Sequence, residues 1–208
     1  MVLAARSAHK LADAAAELER GGAEALAVSV DVTRRSEIDR LIDATLGQFG
    51  RIDVLVNNAG QAASGTVAEG RPDDYRHVIE LNLFGPLYGV QAAAPAMRQN
   101  GGGIIVNISS MTSKMAIPGL GLYASTKAAL NVLSATARVE LAGDNIRVIT
   151  VYPRITETDF GKNSIGDPEM RGRQRTHRPG VPVDSAEYVA GKIVEALRNE
   201  PAEQFMDA

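Results

Sequence analysis

A doubly wound parallel α/β sheet, with helices covering both faces in three layers, is the fold class this sequence predicts. Three observations carry the prediction. Apolar runs of strand length alternate with helical patterns along the whole chain. The runs at 52–56, 104–108 and 146–152 are nearly continuous in Val, Ile and Leu, as strands buried on both faces require. Small, polar and turn-forming residues follow the strands, and in such sheets ligands bind beyond the carboxyl ends of the strands.

The elements follow in order. Residues 2–5 form a short strand. Residues 8–20 carry helical periodicity that stops at Gly21-Gly22. Residues 25–32 are strand-like, and 36–49 helical with Ser36 as N-cap. Residues 52–56 read as a buried strand. A long helix spans 73–99 and is broken off by Gly101-Gly102-Gly103. A buried strand at 104–108, a helix at 121–141, a strand at 146–152 and a helix at 186–198 come next. Phe205-Met206 belongs to a last short strand. With no repeat and no linker, residues 1–208 read as one domain. Residues 161–182 are the one long irregular stretch and hold Arg171, Arg173, Arg175 and Arg178. They read either as a solvated loop or as a mobile lid over a substrate.

Composition narrows the function. Of 208 residues, 45% are apolar and 23% charged, which is ordinary globular usage. A net charge of −3 gives no electrostatic case for nucleic acid or an anionic membrane. The absence of cysteine removes disulfides, thiolate metal sites and cysteine nucleophiles. His9, His77 and His177 show no metal-ligand spacing, so no metal is expected. The opening apolar run is too short for a signal peptide, and no run could span a membrane, so a cytoplasmic setting is expected.

The strand ends place polar groups together: Asp31-Val32, Asn57-Asn58-Ala59-Gly60, Ser109-Ser110, and Pro153-Arg154-Ile155-Thr156. Tyr123 and Lys127 are four apart near the start of a helix and share a face. A free tyrosine has a pKa near ~10, too high for efficient proton transfer at neutral pH. A nearby ammonium favours the phenolate, so the pair could form a tuned acid/base. Pro86 lies four residues after Asn82 within the helix pattern. Having no N–H, and crowding the carbonyl at i−4, it should free the Asn82 carbonyl and bend the helix.

Taken together, Asn57-Asn58-Ala59-Gly60, Asn82, Ser110 and Tyr123-x-x-x-Lys127 stand in an order and spacing that resembles the short-chain dehydrogenase/reductase family, from about Val2 to about Phe205. The resemblance implies a Rossmann-like fold and an NAD(P)-dependent oxidoreductase that interconverts a small-molecule carbonyl and a secondary alcohol. Tyr123 would be the general acid/base. Ser110, rather than its rival Ser109, would hold the substrate oxygen. Lys127 would bind the nicotinamide ribose and lower the Tyr123 pKa, and the Asn82 carbonyl would hold a water linking Lys127 to solvent. Asn58, Ala59 and Gly60 would line the cofactor, Asp31 and Val32 would flank the adenine, and Pro153, Ile155 and Thr156 would meet the nicotinamide end. Arg6, following the first strand, suits a 2′-phosphate, so NADP(H) is favoured over NAD(H). Arg154 stands where the family usually has glycine, which puts the local backbone conformation in question. A homodimer or homotetramer is implied, formed through the helices at 73–99 and 121–141.

The family's first strand and its T-G-x-x-x-G-x-G turn have no counterpart in these 208 residues. Gly119-x-Gly121-x-x-Ala124 opens a helix after a long loop, and Gly85-x-x-x-Gly89 lies inside a helix pattern, so neither supplies that turn. The expectation is an upstream segment giving a strand, a glycine-rich turn and a helix, with strands two and four lacking a shared neighbour in its absence. Two other readings stand beside the enzyme: a truncated, non-enzymatic remnant unable to bind cofactor, and a sugar-nucleotide epimerase, which also uses Tyr-x-x-x-Lys but carries a larger C-terminal region.

Overall fold

The computed structural model describes residues 1–170 and 182–207. Arg171, Arg173, Arg175, His177 and Arg178 lie outside the described residues. Strand β1 (Val2–Ala5) leads through α1 (Ala8–Arg20) to β2 (Leu26–Ser29), which pairs with it in parallel. Helix α1 begins where the Ser7 hydroxyl accepts from the Lys10 N–H. Helix α2 (Arg35–Phe49) ends at Gly50, whose φ of 71° is the left-handed conformation that closes helices.

The cap expected at Ser36 is not there. Arg34 is the N-cap and makes no side-chain cap bond. The turn before the helix is closed instead by Asp31, whose carboxylate accepts from the Thr33 N–H at 3.0 Å and hydroxyl at 2.8 Å. Glu37 reaches back to the Asp31 N–H at 2.8 Å. These bonds set the chain's entry, and Ser36 falls one residue inside the helix.

Strand β3 (Val54–Asn57) and the short β4 (Ala63–Ser64) precede a helical stretch that was expected to be one helix. It is three pieces: α3 (Pro72–Ile79), a π-helical turn over Glu80–Phe84, and α4 (Gly85–Gln99). Pro86 explains the break. It sits in the first turn of α4, where a helix has no acceptor to spare, and it cannot donate to the Asn82 carbonyl. The Gly85 N–H bonds the Glu80 carbonyl five residues back, so the bend appears as a widened turn.

Strand β5 (Gly103–Ile108), helix α5 (Gly121–Glu140) and strand β6 (Ile146–Tyr152) form the centre. Two-residue strands β7 (Ile155–Thr156), β8 (Ile165–Gly166) and β9 (Val183–Asp184) lead to α6 (Ala186–Asn199) and β10 (Glu203–Phe205). The main sheet is parallel in the order β10-β6-β5-β3, and β1-β2 is a separate pair. Among the described residues no strand lies between β1 and β3, so each keeps one edge without a ladder. Val54 and Val56 on β3 are correspondingly exposed.

Alternation along β5 and β6 divides the core between two faces. Ile105 and Val148 meet Ile42 of α2, Ala93 and Met97 of α4, and Ala137 of α5. Val106, Ile149 and Val151 meet Val189 and Ala196 of α6, with Met206. This is the three-layer, doubly wound arrangement the sequence predicts. No described helix is long and apolar enough to cross a membrane.

Candidate active site

The carboxyl end of β5 gathers the predicted residues. Helix α5 turns Tyr123 and Lys127 inward, both almost fully buried. The Lys127 ammonium donates to the carbonyl of Ile108, the last residue of β5, at 2.8 Å. Asn131 continues the same helix face one turn further on. Its amide carbonyl accepts from the Ser109 hydroxyl at 2.5 Å, and its NH₂ donates to the Ser113 hydroxyl at 2.9 Å. Sequence reasoning missed Asn131, although its i+4 spacing from Lys127 was available as a signal.

The two serines separate by environment. Ser109 is buried, and its hydroxyl is engaged by Asn131 and the Lys127 carbonyl, which makes it part of the scaffold. Ser110 stands at the start of a 3₁₀ turn, Met111–Lys114, and its side chain is the one whose hydrogen bonding favours the Tyr123 phenolate. The resemblance favoured Ser110, and Ser110 is the serine that meets the tyrosine. The Tyr123 ring also packs against Phe160, with centroids 5.8 Å apart.

Asn82 lies within the π turn and is wholly buried. Its side chain accepts from the Gln61 N–H at 2.9 Å, and donates to the Gln61 carbonyl at 2.9 Å and to the Thr126 hydroxyl at 3.0 Å. It thereby clasps the backbone just after Asn58-Ala59-Gly60. Gly60 is at the closest approach. A Cβ there would come within 3.2 Å of the Asn82 Oδ1 and 3.4 Å of the Lys127 Nζ. Asn58 and Ala59 are exposed beside it.

Burial dominates the electrostatics. It pushes the Tyr123 phenol from 10.0 up to about 12, offset in part by the hydrogen bond from Ser110. It pulls the Lys127 ammonium from 10.5 down to about 8. The expectation that Lys127 lowers the Tyr123 pKa is thus not met in this structure. The Lys127 Nζ is turned to the Ile108 carbonyl, and the low-dielectric surroundings penalise both charged forms.

The remaining predicted residues lie at other strand ends. Arg6 is exposed just after β1, and its carbonyl accepts from the Ser29 hydroxyl at 3.3 Å. Burial raises the Asp31 carboxyl, but the hydrogen bonds from Thr33 and the charges of Arg6 and Arg34 more than offset it and hold it below its usual range. Val32 is the contact surface for Gly85, where a Cβ would lie 3.1 Å from its Cγ2. The Pro153 carbonyl accepts from the Met111 N–H at 3.0 Å, tying the segment after β6 to the loop after β5. Ile155 and Thr156 pair with Val183 and Asp184. Arg154 has an ordinary negative φ, so this backbone does not need glycine there. Its guanidinium forms a two-pronged pair with the buried Asp184, at 2.7 and 3.1 Å. Away from the strand ends, His9 pairs with Asp13 on α1, and His77 bonds the Gln61 side chain at 2.9 Å.

Comparison with known proteins gives a consistent answer. The family model described as short chain dehydrogenase matches residues 1–168. A 3-oxoacyl-[acyl-carrier-protein] reductase from a Synechocystis strain is 35% identical over 191 residues, which are 92% of this chain and 75% of the relative. A 7α-hydroxysteroid dehydrogenase, solved with NADH and 7-oxoglycochenodeoxycholic acid, superposes with a TM-score of 0.86 at 28% identity, covering 100% of this chain and 82% of its own. A gluconate 5-dehydrogenase from Burkholderia cenocepacia, solved with NADP and tartrate, gives a TM-score of 0.84 at 27% identity, covering 99% and 83%.

The buried ammonium makes stability depend on pH. Below about pH 8 the folded and unfolded chains both carry the Lys127 charge, and the folded chain bears its full desolvation cost. Between about 8 and 10.5 the folded chain loses that proton first. The unfolded state then binds more protons, and stability rises with pH. The gain across the window is on the order of 3 kcal/mol. Lys127→Met should abolish this rise, as measured by urea unfolding from pH 7.5 to 10. Parallel curves for the parent and the variant would show that the ammonium is not desolvated.

Proposed function

This chain belongs to the short-chain dehydrogenase family, and from that premise we propose that it is an oxidoreductase that interconverts a small-molecule carbonyl and a secondary alcohol, with Tyr123 as general acid/base. The observation that carries the reading is the convergence of Ser110, Tyr123 and Lys127 at the end of β5. A nicotinamide dinucleotide, when bound, supplies or accepts the hydride. The neighbours solved with NADH and with NADP support that cofactor class. The residues fit its nicotinamide ribose. Among the described residues Lys127 has one acceptor, the Ile108 carbonyl, so two of its three N–H donors remain for ribose hydroxyls. Gly60 keeps the space beside that ammonium clear of a side chain.

In the reductive direction, negative charge grows on the carbonyl oxygen of the substrate. The Ser110 hydroxyl donates to that oxygen and Tyr123 gives it a proton. The phenolate left behind lies one helical turn from the Lys127 ammonium, which compensates it only by turning from the Ile108 carbonyl. A phenol held near about 12 keeps its proton at neutral pH, the form that reduction uses. Oxidation runs the same path backwards and draws on the rarer phenolate. Asn82 acts as a positioning residue by fixing the loop that carries Gly60.

At the adenine end Arg6 and Arg34 bring positive charge to Asp31, which supports NADP(H) over NAD(H). A second copy of the chain fits helix α5, whose outward residues Ala129, Val132, Thr136 and Val139 form an uncharged stripe. Val132 is 69% exposed and Val139 79%.

Tyr123→Phe should lower kcat by roughly 10²–10⁴-fold with little change in circular dichroism. The assay is NADPH-dependent reduction of a carbonyl panel, and a variant with near-parental turnover would remove Tyr123 from the mechanism. Arg6→Asp should reverse or erase a preference for NADPH in kcat/KM, and equal values for the two cofactors in the parent would refute the preference itself. Val132→Glu with Val139→Glu should convert an oligomer to a monomer on size-exclusion chromatography with light scattering. An unchanged mass would place the interface elsewhere.

A further inference from the structure

The Ser110 hydroxyl is held in one orientation, and we infer that Thr112 is the positioning residue that holds it. A serine hydroxyl has one proton to give and two lone pairs with which to accept. Both lone pairs of the Ser110 oxygen are filled by one neighbour. The Thr112 N–H donates to it at 3.2 Å and the Thr112 hydroxyl at 2.9 Å. The Ser110 proton is left to point away from Thr112, and the Ser110 side chain favours the phenolate of Tyr123.

The backbone beneath is fixed separately. The Ser110 carbonyl accepts from the Ser113 N–H at 3.0 Å and from the Ser113 hydroxyl at 2.6 Å. The Ser113 hydroxyl is in turn held by Asn131 on α5. Ser113 and Asn131 therefore set where Ser110 stands, and Thr112 sets which way its proton points. A hydroxyl free to turn could accept from the tyrosine instead of donating. Two donors on its lone pairs forbid that, so Ser110 acts as a fixed donor toward whichever oxygen occupies the place beside Tyr123. The inference rests on the oxidoreductase reading for its catalytic consequence, since a donor is what a developing oxyanion needs. The orientation itself does not depend on that reading.

Thr112→Val keeps the shape of the side chain and its β-branch, and deletes one of the two donors. In the chain labelled with ¹³C at the tyrosine ζ carbon, the Tyr123 resonance (assigned by its loss in Tyr123→Phe) reports hydrogen bonding at the phenol oxygen at neutral pH. Thr112→Val should shift that resonance in the same direction as Ser110→Ala, and Thr112→Ser should restore it. In carbonyl reduction, Thr112→Val should lower kcat by up to about tenfold, the worth of one hydrogen bond, with KM nearly unchanged and recovery in Thr112→Ser. A merely structural threonine would lower the melting temperature without moving the resonance. If Thr112→Val does not fold, Thr112→Ala makes the same deletion. A resonance unmoved by the variant that folds overturns the inference, whatever the activity. A parent that reduces no carbonyl while the resonance still moves would refute the oxidoreductase reading and leave the orientation standing.

Discussion

The bond from the Lys127 ammonium to the Ile108 carbonyl fixes how α5 lies against the sheet. Burying a charge is expensive unless it is bonded, and its cost here is visible in the depression of Lys127 to about 8. The acceptor is the carbonyl that closes β5, so the helix can turn only a little about its axis before the bond is lost. Once Lys127 is set, the residues one turn away on either side are set with it. Tyr123 must face the exit of β5, where Ser110 stands, and Asn131 must face Ser109 and Ser113. The ladder helps from below. The Ser109 N–H donates to the Val151 carbonyl at 2.8 Å and the Met111 N–H to the Pro153 carbonyl at 3.0 Å, so Ser110 stands between two bonded residues.

A second row of polar groups crosses the same region and aligns β3 with β5. The Asn57 amide donates to the Asn107 side chain at 2.8 Å, Asn107 donates to the Ser134 hydroxyl at 2.8 Å, and Ser134 donates to the Leu130 carbonyl at 2.7 Å. Buried polar groups are tolerated when each has a partner, and such rows fix register more sharply than apolar contacts do. Gly89 is the complement on α4, because a Cβ there would lie 2.5 Å from the Asn57 Oδ1. With β3 held in this register, the loop that follows it brings Gly60 against Lys127, and Asn82 closes over the loop from the π turn. The site is thus assembled from elements that all refer back to β5 and α5.

The alternation of elements was legible because burial on two faces leaves an unmistakable apolar run, and the ends of β1, α1 and β6 fall where the sequence places them. Tyr123, Lys127 and Ser110 were legible through their joint order. Part of what failed to show depends on partners distant in sequence, and part on a local competitor that won. Ser36 satisfies a local capping rule, but Asp31 and Glu37 had already closed the turn. The bend before Pro86 was legible, but the 73–99 stretch read as one helix, and that the bend takes the form of a π turn over Glu80–Phe84 left no mark in the sequence. Asn57, Asn107 and Ser134 are polar residues within apolar runs, and only the fold reveals that they meet. Gly85 and Gly89 were rightly set aside as a nucleotide turn, but their use, letting α4 approach Val32 and Asn57, shows only in the fold. Ser109 and Ser110 are chemically identical in sequence, and their separation rests on which one Asn131 can reach.

The stretch 161–182, described at its two ends, is tied at both to the rigid centre. At its start, β8 pairs with β4, and the Asn163 carbonyl accepts from the Gln61 side chain at 2.5 Å. Gln61 is the residue that Asn82 clasps, so this end is linked to the loop beside Lys127. At its close, β9 pairs with β7, and Asp184 holds Arg154 directly after Pro153. Pro153 is in turn bonded to Met111 at the base of the Ser110 turn. The arginine that replaces the family's glycine therefore has a use the glycine could not supply. It joins the exit of this stretch to the turn that carries Ser110. Both ends then answer to the same two strand termini, those of β3 and β5, that position Tyr123 and Lys127.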